Sequence, residues 1–362
     1  METSMANANG PVRDRNAYIV TGPTSGIGRA TALELARHGV VVLVGRDGSK
    51  LDKVRNTIEG NAGRAVAVVC DLSDPASVRR AAAEIVALDL AIVGLINNAG
   101  IGFTRAATNA CGWDMAFATN HLGPFMLTEA VMPHLPDGAN IVFVASGVED
   151  PERKPAVAVG FRGGRYISAA ASACGEWQPG GSAIPGGDAY ATSKQCALAT
   201  AIEFARENPR LRINAVEPGF TPNTGLARDA NAVVRMLLNH VLPLFAPFVR
   251  YWSTPGRAAR VITTAVLNET GETGIYYDDG GRPMTGSRQV RDPAFTSRVV
   301  AETRALLSTI PTRPVPPQAR RVGRGVAGDI AGDMASDMAS DMAAWQATWH
   351  RRLHPQVVAG DD

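Results

Sequence analysis

The feature that most constrains the fold of this chain is a regular alternation of short β-branched apolar runs with helical patterns across residues 16–310. The apolar runs are continuous, which is typical of parallel strands buried on both faces. Right-handed crossovers between such strands give an α/β, doubly wound sheet that binds ligands at the carboxyl ends of its strands. Strands are predicted at 17–20, 40–45, 65–69, 91–97, 140–145, 212–217 and 274–278, and helices at 27–38, 50–59, 75–88, 189–207, 255–267 and 293–307.

Composition restricts the class of protein further. Of the 362 residues 45% are hydrophobic, and 36 Lys+Arg against 34 Asp+Glu leave a net charge of +2. This balance argues against a nucleic-acid partner, because nucleic-acid-binding proteins usually have a clustered basic face. The four cysteines form no CxxC pair, so we expect reduced thiols, a cytoplasmic protein and no metal site. Residues 1–15 are expected to be a flexible segment rather than a signal peptide, and no membrane span is expected.

Two segments depart from the strand–helix alternation. Residues 147–188 form an insertion rich in Gly, Ala, Ser and Pro, and a connection of that length is usually functional or partly disordered. Residues 311–362 comprise a Pro/Arg-rich linker and then a four-residue repeat, GDIAGDMASDMASDMA, at 328–343. On a helix this repeat would form one Asp stripe and one Met stripe, so a partner-binding helix is one interpretation. A low-complexity tail is the favoured one.

A glycine-rich loop, TGPTSGIG at 21–28, directly follows the first strand and opens the first helix. Gly22 permits a tight turn, Gly26 lets the backbone approach a pyrophosphate, and Gly28 allows the helix to pack closely on the strand. Free N–H groups and the positive dipole end at the helix N-terminus favour phosphate. The loop therefore predicts a dinucleotide site in a single Rossmann-type domain, with a plain Gly-rich turn as the alternative.

A second motif, YATSK, places Tyr190 and Lys194 on one face of a predicted helix. Carbonyl reduction needs a proton on the developing alkoxide as hydride arrives at the carbon. The ordinary pKa of tyrosine, roughly 10, is too high for an effective base near neutral pH. We therefore expect the Lys194 ammonium to lower the pKa of Tyr190. The pattern alone is common, and its position downstream of the dinucleotide motif favours a catalytic role.

Taken together, these motifs resemble the short-chain dehydrogenase/reductase family over about residues 17–308. The glycine spacing is TGxxxGxG, NNAG at 97–100 ends the fourth strand, and Pro218-Gly219 follows the sixth, as in that family. The long insertion, PNTGLARD and GIYYDDGG resemble the branch that contains protochlorophyllide reductases and retinol dehydrogenases. The resemblance implies an oxidoreductase that moves a hydride between a nicotinamide and a carbonyl or alcohol carbon, with Tyr190 as general acid and base.

The resemblance also implies two further catalytic residues. Ser146, at the end of the fifth strand, would hydrogen-bond the substrate oxygen. Because the insertion separates it from Tyr190, three serines within the insertion remain alternatives. Asn120 would hold a water that links the lysine to solvent, and a helix cap or a surface amide is the alternative. The alternative serines are Ser168, Ser172 and Ser182.

Cofactor contacts follow from the same resemblance. Asp71 would lie against the adenine amine, Lys194 would bind the nicotinamide ribose, and the loop after Pro218 would hold the carboxamide. That loop carries one residue more than the common pattern, which leaves Thr221 and Thr224 both open. The expected contacts are Gly22, Thr24, Ser25, Gly26, Ile27, Gly28, Arg46, Asp71, Leu72, Asn98, Ala99, Gly100, Tyr190, Lys194, Pro218, Gly219, Thr221 and Thr224.

The choice between NADP(H) and NAD(H) depends on the end of the second strand, Gly45-Arg46-Asp47. An acidic residue at the strand end would bond the ribose hydroxyls of NAD and repel a 2′-phosphate. Gly45 has no carboxylate, whereas Arg46 can form charge-assisted bonds to a phosphate. NADP(H) is therefore favoured. Asp47 could still reach a ribose, which leaves NAD(H) as the alternative.

Residues 220–254 lie where the family has its variable substrate lid, and they are strongly apolar. Such a lid suits a bulky hydrophobic carbonyl or alcohol substrate. Packing on the core or on an oligomer interface is the alternative. The resemblance implies a homodimer or homotetramer through the helices that carry Asn120 and Tyr190. A catalytically silent NADP(H)-binding sensor, or a scaffold protein acting through the tail, is the alternative to an enzyme.

Overall fold

A computed structural model describes residues 16–102, 107–221 and 253–310, which build one eight-stranded sheet in the order β3-β2-β1-β4-β5-β6-β7-β8. All neighbouring strands are parallel except β7 and β8, which pair antiparallel. The strand order reverses between β1 and β4, where doubly wound sheets bind their ligands. The strands are β1 (Asn16–Thr21), β2 (Val40–Gly45), β3 (Arg64–Val69), β4 (Ala91–Asn97), β5 (Asn140–Val144), β6 (Arg212–Val216), β7 (Tyr276–Tyr277) and β8 (Pro283–Met284).

Helices cover both faces of this sheet, and a π-helical turn at Ala118–Leu122 joins α4 to α5. Two 3₁₀ turns, at Met132–His134 and Gly147–Glu149, flank β5. The helices are α1 (Gly26–Leu35), α2 (Gly48–Glu59), α3 (Pro75–Ala87), α4 (Met115–Phe117), α5 (Gly123–Val131), α6 (Lys154–Ala158), α7 (Ala169–Ala173), α8 (Gly187–Glu207), α9 (Pro255–Val266) and α10 (Pro293–Ser308).

The central apolar strands, β1, β2 and β4 to β6, are largely buried on both faces as predicted, whereas in the edge strand β3 only Val68 is buried. In β2, Val40, Val42 and Val44 pack into one core layer, while Val41 and Leu43 pack into the layer on the opposite side of the sheet. Each such side chain contributes about 1.5–3 kcal/mol by leaving water. The α/β doubly wound fold predicted from the sequence is confirmed.

Helix starts coincide with capping residues that the sequence displays. Asp74 caps α3 and Asp292 caps α10, each through a backbone N–H of the first turn, and a proline occupies the first helical position of both. The predicted bounds of these two helices differ from the observed ones by one residue at the C-terminus.

Two details of the prediction are wrong. The last strand, predicted at 274–278, is only Tyr276–Tyr277, and the antiparallel β8 beside it was not predicted, so the sheet is not wholly parallel. A two-residue strand contains too little alternation to be recognised by pattern. The insertion, for which the sequence predicted no secondary structure, forms α6 and α7 and is tied to its neighbours by hydrogen bonds such as Gly164 N–H to the Glu149 carbonyl, 2.8 Å.

Helix α8, which carries the YATSK motif, is covered on nearly every side within the chain. Between Ala189 and Ala205 every residue except Ile202 is buried. Helix α10 packs along α8, and α7 packs on α10. Helix α8 therefore offers little surface to a second subunit. The expected homodimer or homotetramer stays a prediction, and its interface would have to come mainly from other elements.

Several predictions lie outside the described residues: the N-terminal segment 1–15, most of the lid at 220–254, and the linker and repeat tail at 311–362. Across the described ranges, no helix combines the length and apolar character needed to cross a bilayer.

Candidate active site

Tyr190 lies in the first turn of α8, and its phenol hydrogen-bonds the side chain of Ser146, which follows β5. The long insertion between these two residues thus returns the chain to the same edge of the sheet. Two of the alternative serines have other partners. The Ser168 hydroxyl accepts from the Ala171 N–H at 3.1 Å, and the Ser182 hydroxyl donates to the Gly160 carbonyl at 2.9 Å. Ser172, the third alternative, is a buried residue of α7.

Lys194 lies one helical turn beyond Tyr190, with its Nζ 5.8 Å from the centre of the phenol ring. The Nζ donates a hydrogen bond of 2.7 Å to the Val144 carbonyl at the end of β5. Burial lowers the pKa of Lys194 to about 8, because the apolar surroundings disfavour the ammonium. The lysine is therefore fixed beside the phenol at the carboxyl edge of the sheet.

The expected lowering of the Tyr190 pKa by Lys194 is not found. Burial raises the pKa of Tyr190 to about 12, and the hydrogen bond from Ser146 opposes that rise. The phenol packs in an apolar cluster, where loss of hydration penalises the phenolate more than the nearby groups stabilise it. Tyr190 is consequently a protonated donor near neutral pH.

Asn120 occupies the π-helical turn and is buried, so it is neither a helix cap nor a surface amide. Its Oδ1 accepts from the Ile101 N–H at 2.8 Å, and its Nδ2 donates to the Ile101 carbonyl at 2.9 Å and to the Ser193 hydroxyl at 3.0 Å. A Cβ added to Gly100 would lie 3.4 Å from the Asn120 Oδ1 and 3.6 Å from the Lys194 Nζ. Asn120 therefore joins the loop after β4 to helix α8. Single π turns of this kind occur frequently at functional sites.

The glycine-rich loop has the geometry that a dinucleotide requires. Gly22 and Gly26 have φ angles of 66° and 53°, in the region that favours glycine. A Cβ on Gly28 would lie 2.3 Å from both the Gly22 carbonyl oxygen and the Asn98 Nδ2, so no larger residue fits there. The Ser25 side chain caps no N–H of α1. The first N–H groups of α1 can therefore bind a phosphate, with Thr24, Ser25, Gly26 and Ile27 around them.

Thr21, which is not among the cofactor contacts expected from the sequence, ties this loop to β4. Its Oγ1 accepts from the N–H groups of Asn98 at 3.0 Å and Ala99 at 2.9 Å, and donates to the Ile96 carbonyl at 3.2 Å. The Asn98 Nδ2 donates to the Thr21 carbonyl at 2.8 Å. The side chain of Asn98, expected to contact the cofactor, thus holds the glycine-rich loop in place. In the sequence, a hydroxyl residue at the end of the first apolar strand was the signal available for this role.

At the end of β2, Arg46 and Asp47 differ in whether their charged groups are free to bind a cofactor. Asp47 caps α2 by accepting from the Lys50 N–H at 3.1 Å and pairs with the Lys50 Nζ at 2.8 Å. Both contacts lower the pKa of Asp47. Arg46 is exposed. The Asp47 carboxylate is therefore already engaged, whereas Arg46 is accessible from solvent.

Asp71 and Leu72 follow β3 on the same edge. The Asp71 Oδ1 accepts from the Ser73 N–H at 2.9 Å and the Ser73 hydroxyl at 2.7 Å. Leu72 is buried, and its carbonyl oxygen lies 2.1 Å from where a Cβ on Gly123 would be, so α5 packs directly on it. The expected adenine contact of Asp71 stays a prediction.

The loop after β6 supplies the remaining expected contacts. Pro218 is buried, Gly219 has a φ of 73°, and the Thr221 hydroxyl donates to the Gly219 carbonyl at 3.2 Å. Thr224 lies outside the described residues. The choice between the two threonines therefore stays open.

The insertion forms an apolar wall around the phenol. The Phe161 ring is tilted against the Tyr190 ring, with centroids 6.5 Å apart. Ala156 and Ala191 complete a small buried cluster, and Val148 and Ile184 pack against its border. Part of the insertion thus packs directly against the ring of Tyr190.

A glycine-lined helix N-terminus, an NNAG strand end and a serine–tyrosine–lysine group on one sheet edge define a nucleotide-dependent oxidoreductase class, and comparisons with known proteins identify the family. The short chain dehydrogenase family matches residues 16–157. The provisionally named daunorubicin C-13 ketoreductase DnrU of Streptomyces sp. (strain C5) is 31% identical over 72% of this chain and 82% of its own length. The chain belongs to the short-chain dehydrogenase/reductase family.

Further relatives refine its position in that family. Human retinol dehydrogenase 13 is 28% identical over 80% of this chain and 83% of its own length, in agreement with the retinol dehydrogenase-like branch. The structure of a provisionally named NAD(P)-dependent gluconate 5-dehydrogenase from Beutenbergia cavernae, with NADP bound at low occupancy, is 25% identical. It matches 75% of this chain and 98% of that one, with a TM-score of 0.55.

Proposed function

We propose that this protein is an NADPH-dependent reductase of aldehydes or ketones that carry a bulky apolar group. The observation that carries the proposal is the hydrogen bond between Ser146 and Tyr190, beside Lys194 and on the same sheet edge as the glycine-rich loop. A bound nicotinamide supplies the hydride that adds to the carbonyl carbon. The residues of this chain bind the cofactor, orient the carbonyl and deliver the proton.

The proton comes from Tyr190. Its pKa of about 12 keeps the phenol protonated near neutral pH, and an alkoxide is a stronger base than a phenolate. The Ser146 hydroxyl donates to the carbonyl oxygen where negative charge develops. Once the phenol has given up its proton, the Lys194 ammonium stabilises the phenolate. Asn120 and Ser193 hold the two helices at the spacing that this transfer needs. Reduction rather than alcohol oxidation is thus the direction we assign.

The substrate class follows from the wall beside the phenol. Val148 and Ile184 are partly buried apolar residues at the border of the cluster that encloses Tyr190, and Phe220 is 46% exposed in the loop after β6. Such a surface favours ligands that are mostly apolar with few polar anchors. The name of the Streptomyces relative, a daunorubicin C-13 ketoreductase, supports a ketone as the substrate.

Absorbance loss of NADPH with a panel of bulky aryl ketones, small ketones and long-chain aldehydes tests this function. We expect turnover with the bulky ketones and weak turnover with the small ones. Tight NADPH binding without turnover across the whole panel would contradict the proposal and favour a silent cofactor sensor.

All four cysteines are free thiols, which agrees with the expected reduced state. The cytoplasmic location stays a prediction.

The preference for NADPH is expected to depend on Arg46. Replacing Arg46 with alanine should raise the KM for NADPH roughly 10- to 100-fold, because a charge-assisted bond to phosphate is lost. The KM for NADH should change little, since NADH has no 2′-phosphate. Lys50→Ala is a matched control, because it removes a neighbouring cation that already pairs with Asp47. An unchanged NADPH preference in Arg46→Ala would rule out this assignment.

The pH dependence of reduction should report Lys194. Its pKa of about 8 means that the ammonium is present below that pH and lost above it. The kcat is therefore expected to be level in acid and to fall as the pH rises through about 8. The fall is measured by determining kcat at saturating NADPH from about pH 6 to about pH 10. In Lys194→Arg the charge persists, so the remaining activity should lose this decline, and a level wild-type profile would contradict the role of the ammonium.

A further inference from the structure

Glu217, the residue directly after β6, contacts the turn that carries Ser146. Its carboxylate accepts a hydrogen bond from the Gly147 N–H. The Arg153 Nη2 lies 2.8 Å from the Glu217 Oε2. One carboxylate thus joins three segments that are far apart in the chain: the end of β6, the serine turn and the start of α6.

The ion pair lies directly against the serine turn. A Cβ on Gly147 would be 2.6 Å from the Glu217 Oε1 and 3.1 Å from the Arg153 Nε. Gly147 has no positive φ angle, so the ion pair, and not the backbone conformation, occupies the space that a side chain would need at this position. The ion pair is thus in close contact with the residue next to Ser146.

The turn after Ser146 is also held at its far end, where the Glu149 carbonyl accepts from the Gly164 N–H at 2.8 Å and the Glu149 Oε1 accepts from the Ser287 N–H at 2.9 Å. The β5–β6 ladder ends with the Ala145 N–H bonding the Val216 carbonyl at 2.9 Å. Beyond it, Ser146 is extended, with φ −164° and ψ 139°, and its carbonyl accepts from the Glu149 N–H at 3.2 Å to start the 3₁₀ turn. The Gly147–Glu217 bond ties the start of this turn to the end of β6.

The charge of Arg153 maintains the tether. Burial raises the pKa of Glu217, and the Arg153 guanidinium opposes that rise. The side chains are only 11% and 23% exposed, so an unpaired charge at either position would be unfavourable. An ionised carboxylate is also the stronger acceptor for the Gly147 N–H.

We propose that Glu217 is a positioning residue for the catalytic serine: paired with Arg153, it holds the turn after β5 so that Ser146 keeps its hydrogen bond to Tyr190. The inference rests on the proposed reductase function, because it assigns Glu217 an effect that is exerted through Ser146. Glu217 itself takes no part in proton transfer.

A double-mutant cycle tests the inference. Glu217→Gln should lower kcat roughly 10- to 100-fold, as a small displacement of a catalytic group does, with the KM for NADPH near the wild-type value. Ser146→Ala should also lower kcat. The double variant should be little slower than Ser146→Ala, because Glu217 has nothing left to position. Losses that multiply in the double variant would overturn the inference.

Two further variants make the cycle decisive. Glu203→Gln is the control: Glu203 is a buried carboxylate paired with Arg206 on α8 and bonded to α10, so its loss should reduce stability and leave kcat within about twofold. If Glu217→Gln does not fold, Arg153→Lys, which keeps the charge and loses the planar guanidinium, is carried through the same cycle.

A crystal structure of Glu217→Gln separates this inference from the proposed function. We expect a displaced turn and a broken Ser146–Tyr190 hydrogen bond. An unchanged turn with that bond intact would overturn the positioning role whether or not a substrate has been found. Absence of turnover in the wild type would instead contradict the reductase function.

Discussion

Replacing Tyr190 with phenylalanine is expected to lower kcat for carbonyl reduction about 10²- to 10⁴-fold, the contribution of a positioned general acid. The variant removes the only atom that donates the proton in our scheme and keeps the ring that packs on Phe161. The fold and the NADPH affinity should therefore be retained. Initial rates at saturating NADPH, NADPH binding by fluorescence and thermal unfolding measure the three expectations.

Tyr166→Phe is the matched control for Tyr190→Phe. Tyr166 is a fully buried tyrosine within the insertion, and its hydroxyl donates to the Glu302 Oε2 at 2.6 Å. Removing that hydroxyl should lower stability by about 1–3 kcal/mol and leave kcat unchanged, because the Glu302 carboxylate loses a bond remote from the carbonyl site. Retained turnover in a well-folded Tyr190→Phe variant would mean that another group delivers the proton.

The parts of the fold that the sequence predicts are those set by local pattern. Continuous apolar runs predicted the parallel strands β1 to β6, because each residue of such a strand faces one of two core layers. Helical patterns predicted the start of α3 and of α10 to the residue, and in the structure Asp74 and Asp292 cap these starts. Three glycines at fixed spacing predicted the loop, since their conformation and the absence of a Cβ are local requirements.

The parts that it does not predict depend on distant contacts. Ser146 could be distinguished from the serines of the insertion only once the chain was folded, because the insertion returns Tyr190 to the end of β5. Glu217 and Arg153 have no motif of their own and meet through tertiary structure. The raised pKa of Tyr190 likewise follows from burial among residues of the insertion, and the lysine on which the sequence interpretation relied does not lower it.

Thr21→Val is expected to lower the free energy of unfolding by about 2–4 kcal/mol, because two N–H groups lose their acceptor while the shape of the side chain is nearly kept. These are the N–H groups of Asn98 and Ala99, which the Thr21 Oγ1 holds at 3.0 and 2.9 Å. Since Ala99 also packs on Gly22, the glycine-rich loop should lose its fixed position and NADPH should bind more weakly. Chemical denaturation and NADPH titration measure the two effects.

Thr31→Val is the matched control for Thr21→Val, because it makes the same chemical change ten residues along the chain, in α1. Thr31 is fully buried, and its Oγ1 has no hydrogen-bond partner among the described residues. Replacing that hydroxyl with a methyl group leaves no described donor unpaired and removes a polar atom from an apolar layer, so stability should be unchanged or increased. Equal losses in both variants would show that the side-chain shape of threonine matters at these positions. A loss confined to Thr21→Val would establish that a hydroxyl at the end of β1 holds the cofactor loop against β4.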